Sequence, residues 1–301
     1  MTPIKTLGGI LPAVITPLDE NEQFAPKPFE RLVEMLYAQG CHGLYVCGQT
    51  GEGPLLPPAQ RRLVAEAAVR NSPRGKSVVI HVGAHTTRET IELARHAQSI
   101  GATAVSSLPP TGPWSFSEIK SFYSSVASAV DIPTIVYFFP ELYPVISNLD
   151  CILELLQIPN VIGLKFTHYN LYQLEICRGL GKIAFNGRDE MLTSGLLVGA
   201  EGGIGTFYNL VPELVVAIYN HARNHQWDEA NSLQTKLNAL IRLTLNYPML
   251  PAVKQILAWR GFPVGPCVAP RLGLTALQEA TLRDELAALG YAHWTQSAAL
   301  R

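Results

Sequence analysis

An alternation of short apolar runs with amphipathic helical patterns, repeated eight times, constrains the fold of this chain more than any other feature. The apolar runs predict strands at residues 10–15, 43–47, 78–82, 103–107, 134–138, 161–165, 183–186 and 203–206. The patterns between and after them predict helices at residues 28–39, 57–71, 87–100, 115–130, 149–156, 169–180, 190–198 and 212–224. Strands joined through helices indicate βαβ units, and these build a parallel sheet with right-handed crossovers.

Eight such units favour a (β/α)8 barrel, which normally takes about 250 residues. Runs such as residues 77–80 are apolar without alternation, as expected of strands that are covered on both faces. A doubly wound sheet is the competing architecture, but no GxGxxG segment opens a helix in this sequence. We therefore predict an α/β fold, a TIM barrel that spans residues 1–224.

The rest of the chain, residues 225–301, carries helical patterns but no strand candidate. Its three predicted helices lie at residues 225–246, 248–260 and 275–289. No low-complexity segment separates them from the barrel, so we expect a C-terminal three-helix extension that packs on the barrel as part of a single structural unit.

Composition excludes several classes of partner. The chain is 48% hydrophobic, and its 23 basic and 24 acidic residues form no basic stripe, which disfavours nucleic acid and anionic membranes. No apolar run is long enough to span a bilayer, and no signal-peptide pattern opens the sequence. The five cysteines form no CxxC pair, which is typical of reduced thiols in a cytoplasmic protein rather than of a zinc site.

Lys165 is the most unusual residue of the predicted strands, because it ends the apolar run Val161-Ile162-Gly163-Leu164-Lys165. Burial disfavours the charged ammonium, and a neutral lysine amine can attack a ketone and form a Schiff base. The alternative is a lysine that extends to solvent from a strand end. Side-chain alternation places Gly163, Lys165 and Thr167 on one face, where the small Gly163 would leave room for the lysine stem.

Other polar residues follow strand ends, where barrel enzymes carry their catalytic groups. The turn Gly48-Gln49-Thr50-Gly51-Glu52-Gly53 has glycines that permit positive φ angles and expose N–H groups, which suits a carboxylate or phosphate. Glu52 could instead accept structural hydrogen bonds.

Tyr137 ends the fifth strand, either as a proton relay or as a core residue. Asp189 and Glu190 follow the seventh strand and could bind substrate or complement a helix dipole. A second glycine-rich turn, residues 202–209, contains Thr206.

Histidines offer a metal-dependent alternative. His81 and His85 lie near the end of the third strand, and His168 follows Lys165. A metal-dependent aldolase needs two or three histidines and a carboxylate around one ion, but no HxH or HxxxH pattern lies within a single predicted helix, and His81 and His85 straddle a Gly-Ala turn. We therefore expect structural or solvated histidines, and neither a metal nor an organic cofactor.

Three motifs together resemble those of the pyruvate-dependent class I aldolases, the N-acetylneuraminate lyase and dihydrodipicolinate synthase family. They are Gly48-Gln49-Thr50-Gly51-Glu52, Tyr137 followed by Pro140, and Gly163-Leu164-Lys165, and the resemblance extends from residue 9 to the C-terminal helices. It implies a (β/α)8 barrel with a helical C-terminal extension, and a homotetramer built as a dimer of dimers. It also implies Lys165 as the Schiff-base lysine, Tyr137 as the proton relay, and Gln49 and Thr50 as the carboxylate site.

Within that family, the sequence is more similar to the sialic acid lyase branch than to the synthases. Synthases usually carry an arginine five residues beyond the catalytic tyrosine, where this chain has Leu142. In the lyase branch, the residues that correspond to Asp189 and Glu190 bind hydroxyls of a polyol substrate. Those that correspond to Thr167, Gly187 and Thr206 line the same cleft. Two features depart from the branch: Gln49 replaces a small residue, and the loop 108–114 lacks a tyrosine that many members insert across the dimer interface.

The sequence thus predicts an enzyme that reversibly cleaves a 2-keto sugar acid into pyruvate and a sugar-derived aldehyde, as N-acetylneuraminate lyase does. Asp189, Glu190, Thr167 and Thr206 are expected to bind the hydroxylated tail of this small-molecule substrate. Because Gln49 adds bulk at the carboxylate site, a 2-keto-3-deoxy-aldonate is an alternative substrate. There are two further alternatives. One is dihydrodipicolinate synthase activity, and the other is a dehydratase or hydratase-aldolase activity that uses the same imine.

Overall fold

The computed structural model describes residues 7–296, and within them eight parallel strands alternate with helices. The strands are Gly9–Pro12 (β1), Gly43–Val46 (β2), Ser77–His81 (β3), Ala104–Ser107 (β4), Thr134–Phe138 (β5), Val161–Phe166 (β6), Ile183–Asn186 (β7) and Gly202–Gly205 (β8). From β2 to β8 each strand pairs with the next one along the chain, and β8 pairs with β1. Between β1 and β2, the bridge Ala13–Tyr45 and a 2.9 Å hydrogen bond from Val14 N to Tyr45 O complete the ring. The predicted TIM barrel is confirmed.

Helices surround the barrel and continue beyond it. The first eight are Pro26–Ala38 (α1), Pro58–Arg70 (α2), Thr87–Ser99 (α3), Phe116–Ser128 (α4), Leu149–Leu156 (α5), Leu171–Gly179 (α6), Leu192–Leu197 (α7) and Pro212–Arg223 (α8). Four more follow: Trp227–Thr244 (α9), Met249–Trp259 (α10), Ala276–Ala288 (α11) and Tyr291–Gln296 (α12). None of the helices among residues 7–296 is both long and apolar enough to cross a membrane.

Side-chain alternation along the strands separates two apolar layers. In β5, Tyr137 points into the barrel interior, whereas Val136 and Phe138 pack in the larger core between the sheet and the helices. In β6, Leu164 and Phe166 belong to that larger core, and Lys165 lies between them on the opposite face. Tyr137 and Lys165 are register partners in the parallel pair β5–β6, which brings the two side chains to the same level of the barrel.

The C-terminal helices share the core of the barrel's outer layer. Buried residues of α9, α10 and α11, such as Leu237, Ile256 and Leu282, belong to the same apolar cluster as the barrel helices. The sequence pattern predicts three helices in this region, and the structure adds α12 after Gly290, which has a φ of 74°. A positive φ ends a helix, and a further short helix begins after it.

Three details differ from the sequence-based expectations. The apolar run 10–15 predicts a longer first strand, but β1 ends at Pro12; Ala13 adds one isolated bridge to Tyr45, and residues 14–15 stay buried outside any strand. The helix predicted at 190–198 begins as a single 3-10 turn, Asp189–Met191, before α7. A side chain at Gly163 would lie 2.0 Å from the carbonyl oxygen of Ile183. The glycine therefore allows the neighbouring strand β7 to pack closely, and it does not make room for the stem of Lys165 as the sequence predicts.

Candidate active site

A cavity of about 290 Å³ opens at the C-terminal ends of the barrel strands. All nine residues that the sequence predicts as site residues line it: Gln49, Thr50, Tyr137, Lys165, Thr167, Gly187, Asp189, Glu190 and Thr206. They come from the ends of five strands or the loops after them, as expected for a TIM barrel. Their roles in binding and catalysis stay predictions, but the structure brings them together in one place.

Lys165 presents a free amine to this cavity. Its side chain is only 4% exposed, and its Nζ lies 4.0 Å from the ring centroid of Tyr137 and 4.6 Å from that of Tyr45. No hydrogen bond or ion pair joins Nζ to any other residue within 7–296. The alternative of a lysine that extends into solvent is therefore wrong. The amine is held between two aromatic faces and faces the space that a substrate would occupy.

Tyr137 belongs to a cluster of aromatic rings next to the lysine. Its ring is perpendicular to those of Tyr45 and His81, with centroids 6.2 and 6.1 Å away, and it stacks on Phe139. Burial, together with the neighbouring Tyr137, raises the pKa of Tyr45 well above its ordinary value. Tyr45 donates to Ser106 Oγ at 3.2 Å, so its hydroxyl already has a partner. Of the two tyrosines beside Lys165, Tyr137 is the one that lines the cavity.

The turn after β2 contains positive φ angles, as the sequence predicts, but not at its glycines. The positive φ angles belong to Cys47 and Glu52, at 60° and 54°, rather than to the glycines. Gly53 is required for space, because a Cβ there would lie 1.8 Å from the carbonyl oxygen of Cys47. The backbone N–H groups of Thr50 and Gly51 donate to no residue of the described chain, and of these two residues Thr50 lines the cavity.

Thr206 lies at the end of the cavity formed by this loop. Its Oγ1 is 2.6 Å from Oγ1 of Thr50, and the two hydroxyls therefore share a hydrogen bond. The sequence places Thr206 among the tail-binding residues, whereas the structure groups it with the residue expected to hold the substrate carboxylate. The cause is the closure of the barrel, which brings the loops after β2 and β8 together on either side of β1.

Glu52 supports the turn and does not line the cavity. This agrees with the alternative that its carboxylate accepts structural hydrogen bonds. Its fully buried carboxylate accepts from the backbone N–H of Val268 at 2.9 Å. Its other oxygen lies 2.7 Å from Nζ of Lys254, which is itself only 4% exposed. Arg271 approaches the same carboxylate at 3.4 Å. The C-terminal helices thus hold the turn after β2 through a buried ion pair.

Asp189 accepts a hydrogen bond from a neighbouring loop. Its Oδ2 lies 2.7 Å from the backbone nitrogen of Phe207, next to β8, and a Cβ at Gly205 would clash with its Oδ1. Burial raises the pKa of Asp189 to about 7, although the hydrogen bond from Phe207 lowers it. The carboxylate thus stands in the first turn of its own 3-10 helix, as the dipole alternative expects, but its hydrogen-bond partner belongs to the loop after β8.

Glu190 and Thr167 border the other part of the cavity. Tyr169 donates its hydroxyl to Oε1 of Glu190 at 2.7 Å, which couples the loops after β6 and β7. Thr167 Oγ1 is buried and has no hydrogen-bond partner within the described residues. Gly187 is required beside it, because a Cβ there would lie 2.2 Å from that hydroxyl. Thr167 lines the cavity, and its hydroxyl oxygen packs against Gly187 without a protein partner in the described chain.

Sequence reasoning missed several residues of the cavity. Arg188 lines it between Gly187 and Asp189, and its guanidinium carbon lies 4.4 Å from the ring centroid of Tyr169 and 5.3 Å from that of Phe139. The position of Arg188 inside the motif Asn186–Glu190 was a usable signal. Residues from α9 and α10 also line the cavity, and their helical pattern gives no sign of it: Ile241, Met249 and Leu250.

Gln49 reaches beyond the main cavity, since it also lines two smaller adjoining pockets. Leu142 and Trp114 line one of these pockets and not the main cavity.

His81 is a structural residue, as expected. It is buried, and its Nε2 accepts a hydrogen bond from the backbone N–H of Leu108 at 3.0 Å. Burial lowers the pKa of His81 well below its usual value, which keeps the ring neutral.

Comparisons with known proteins agree with this geometry. The sequence profile of the Dihydrodipicolinate synthetase family matches residues 6–289. An N-acetylneuraminate lyase of Rhizobium meliloti is 34% identical over 286 residues, 93% of this chain and 95% of the relative. A sialic acid aldolase of Ruminococcus gnavus superposes with a TM-score of 0.90 at 26% identity, covering 95% of this chain and 98% of that one. An Escherichia coli prophage protein of the dihydrodipicolinic acid synthase family, solved with pyruvate, gives 0.89 at 26%, covering 95% and 99%.

Proposed function

Because this chain belongs to the dihydrodipicolinate synthetase family, we propose that it is a class I aldolase of the N-acetylneuraminate lyase type. It cleaves a 2-keto sugar acid into pyruvate and an aldehyde. The prediction of this family and of a carbon–carbon lyase from the sequence is confirmed by the relatives, which are named N-acetylneuraminate lyase. The substrate and the roles of individual residues are inferred from the site.

The observation that carries the proposal is the buried amine of Lys165, which lies beside Tyr137 without a hydrogen-bond partner and shares its cavity with Thr50, whose backbone N–H has no partner. A 2-keto acid needs a nucleophile for its ketone and an anchor for its carboxylate within a few ångströms of each other. Lys165 supplies the first, and the N–H groups of Thr50 and Gly51 with the Thr50 hydroxyl supply the second. Gln49 borders the same anchor.

The proposed reaction begins when Lys165 Nζ attacks the C2 ketone and water leaves, which forms a protonated imine. Tyr137 then accepts the proton of the C4 hydroxyl, and the electrons of the C3–C4 bond move into the imine as the aldehyde departs. The resulting enamine takes a proton at C3, and hydrolysis releases pyruvate and restores the lysine. The imine nitrogen accepts the electron pair throughout, so these steps require neither a metal nor an organic cofactor.

The remaining cavity residues bind the substrate tail in this proposal. Asp189, Glu190 and Thr167 face the cavity beyond the lysine, and Gly187 keeps the wall open. Groups of this kind select a hydroxylated tail, because an analogue without hydroxyls leaves them unpaired. The synthase alternative lacks its arginine, since Leu142 stands at that position and lies outside the cavity.

A coupled assay for pyruvate release tests the function. We expect turnover of N-acetylneuraminate or of 2-keto-3-deoxygluconate, and comparison of the two identifies the tail that the site accepts. The variant Lys165→Arg keeps the charge but cannot form the imine, and should release no pyruvate from either. Loss of water from the substrate without pyruvate release would instead indicate a dehydratase, and would overturn the proposal.

We also propose that the enzyme is a cytoplasmic homotetramer. Trp114, Leu142 and Val145 are large apolar side chains that are 39%, 52% and 38% exposed, and they border one groove next to Gln49. An exposed apolar patch of this kind is typical of a protein–protein contact. Size-exclusion chromatography with light scattering should give a mass of four chains, and replacement of Leu142 by Asp should lower it.

A further inference from the structure

Arg188 is the cavity residue that the proposed reaction leaves without a task. It follows β7 and lines the cavity beside Asp189. One of its Nη atoms lies 2.7 Å from Oε1 of Glu141, a half-exposed carboxylate that does not line the cavity. The same Glu141 oxygen lies 3.3 Å from Nδ1 of His168. Glu141 therefore anchors the guanidinium from outside the substrate space.

Aromatic rings fix the orientation of this guanidinium. Its central carbon lies 4.4 Å from the ring centroid of Tyr169 and 5.3 Å from that of Phe139. Phe139 in turn stacks on Tyr137 at 6.1 Å. Phe139 thus connects Arg188 to Tyr137, the residue next to the reacting lysine, and all three line the same cavity.

The guanidinium retains a donor without a partner. Its Nε is buried and makes no hydrogen bond within residues 7–296. Of the two Nη atoms, only the one that contacts Glu141 has an acceptor within the described residues, so the other Nη of this cavity-lining residue keeps its donors available to a ligand. Both acidic residues that line the cavity already accept hydrogen bonds elsewhere, Glu190 from Tyr169 and Asp189 from the backbone N–H of Phe207.

The charges around the cavity also favour an acidic ligand. Three basic side chains line it (Lys165, Arg188 and Arg271) against two acidic ones (Asp189 and Glu190). The raised pKa of Asp189, about 7, leaves much of this carboxyl neutral near physiological pH because it is buried. Arg188 and Arg271 already have carboxylate partners outside the cavity, Glu141 and Glu52, so the positive excess is one of the lining side chains and not of unpaired charge.

We propose that Arg188 binds an oxyanion at the far end of the substrate, so that the preferred substrate is a 2-keto sugar acid that is acidic at both ends. The planar guanidinium fork matches a carboxylate or a phosphate, whereas a hydroxyl would use only one of its donors. Glu141 is a positioning residue in this scheme, since it touches Arg188 and not the cavity. The inference rests on the proposed aldolase function and specifies its substrate class.

Three substrates of equal chain length test the proposal. They are 2-keto-3-deoxygluconate, its 6-phosphate, and the matching 2-keto-3-deoxyaldarate with a terminal carboxylate. We expect kcat/KM for one of the acidic-ended substrates to exceed that of the neutral-ended one by about tenfold or more, as for a hydrogen bond to a charged group. The substrate that shows the gain identifies the oxyanion as phosphate or carboxylate.

Variants then assign the preference to Arg188. Arg188→Met should remove the preference for the acidic-ended substrate while turnover of the neutral-ended substrate is retained. Arg188→Lys should keep part of this preference. Glu141→Gln should reduce it less than Arg188→Met does. Arg242→Met removes an exposed arginine of α9 that does not line the cavity, and it should change nothing.

Equal kcat/KM for the three substrates, or a preference that survives in Arg188→Met, would overturn the inference. Borohydride trapping of pyruvate on Arg188→Met shows that its active site is intact; if that variant does not fold, the result with Arg188→Lys decides. Failure of the aldolase proposal looks different, because then no substrate yields pyruvate and the wild-type enzyme traps none.

Discussion

The two ends of the cavity are built differently. At the end that holds Thr50, Tyr137 and Lys165, these residues are at most 8% exposed, and the turn after β2 is supported by the buried carboxylate of Glu52. At the other end, Tyr169 is 52% exposed, and Arg188 is held by Glu141, a carboxylate that is itself 40% exposed. One end is enclosed by strands and helices, and the other is assembled from loops.

This difference suggests that the enclosed end of the cavity carries out the reaction and that the loop end selects the substrate. Attack on a ketone needs a fixed, water-excluded geometry, and rigid strand ends provide it. Selection of a tail depends on loop side chains, which can change without disturbing the barrel. Substitutions at the enclosed end should therefore reduce the rate or the stability, whereas those at the loop end should change KM and substrate preference.

The largest effect on rate, apart from loss of the lysine, is expected at Tyr137. Tyr137→Phe removes the proposed proton relay and should lower kcat by about 10²- to 10⁴-fold, the usual contribution of general acid–base catalysis. Steady-state pyruvate release measures it. Tyr172→Phe is the matched control, since Tyr172 is 66% exposed on α6. A kcat that equals that of the control would show that Tyr137 is only a core residue.

The buried ion pair between Glu52 and Lys254, which supports the turn after β2, should have the largest effect on the free energy of unfolding. Lys254→Met leaves the fully buried carboxylate of Glu52 without its nearest cation, at 2.7 Å. Breaking a buried pair in this way costs about 3–5 kcal/mol of unfolding free energy. Urea denaturation measures the loss, and Lys236→Met, an exposed position on α9, is the control. Equal stability of the two variants would mean that the pair contributes nothing there.

Asp189 should make stability depend on pH. Its pKa in the folded protein, about 7, lies above its ordinary value of 3.8. Between these values the unfolded chain releases a proton that the folded protein keeps, so wild-type stability falls as pH rises from about 4 to about 7.

Asp189→Asn lacks this titration. The free energy of unfolding of Asp189→Asn relative to wild type should therefore increase over that range by a few kcal/mol, following about 1.4 kcal/mol per pKa unit. Urea denaturation of both proteins at several pH values gives the difference. A difference that is constant with pH would contradict the raised pKa.

The smallest effect is expected at the loop end. Glu190→Gln weakens a contact to one tail hydroxyl, so KM for the sugar acid should rise by about two- to tenfold while pyruvate trapping stays normal. Glu175→Gln, an exposed change on α6, is its control. If Glu190→Gln lowered kcat and trapping together, the division between the two ends of the cavity would be wrong.

Much of this molecule could be predicted from the sequence, because burial on both faces of a strand leaves a direct pattern. The eight strands, and the alternation that turns Tyr137 and Lys165 into the barrel, follow from it. The partners of Glu52 could not be predicted, since Lys254 is far along the chain and joins it only through folding. Arg188 was missed for a related reason: the direction of a loop side chain depends on Glu141, Tyr169 and Phe139, which belong to other loops.

The most direct test of the mechanism is borohydride reduction in the presence of pyruvate, followed by peptide mass spectrometry. Reduction makes the imine permanent, so the wild-type enzyme should carry one pyruvate adduct on the peptide that contains Lys165. Lys165→Ala should carry none, and it should bring kcat below detection. An adduct that persists in Lys165→Ala, or the absence of any adduct in a wild-type enzyme that releases pyruvate, would contradict Schiff-base catalysis at Lys165.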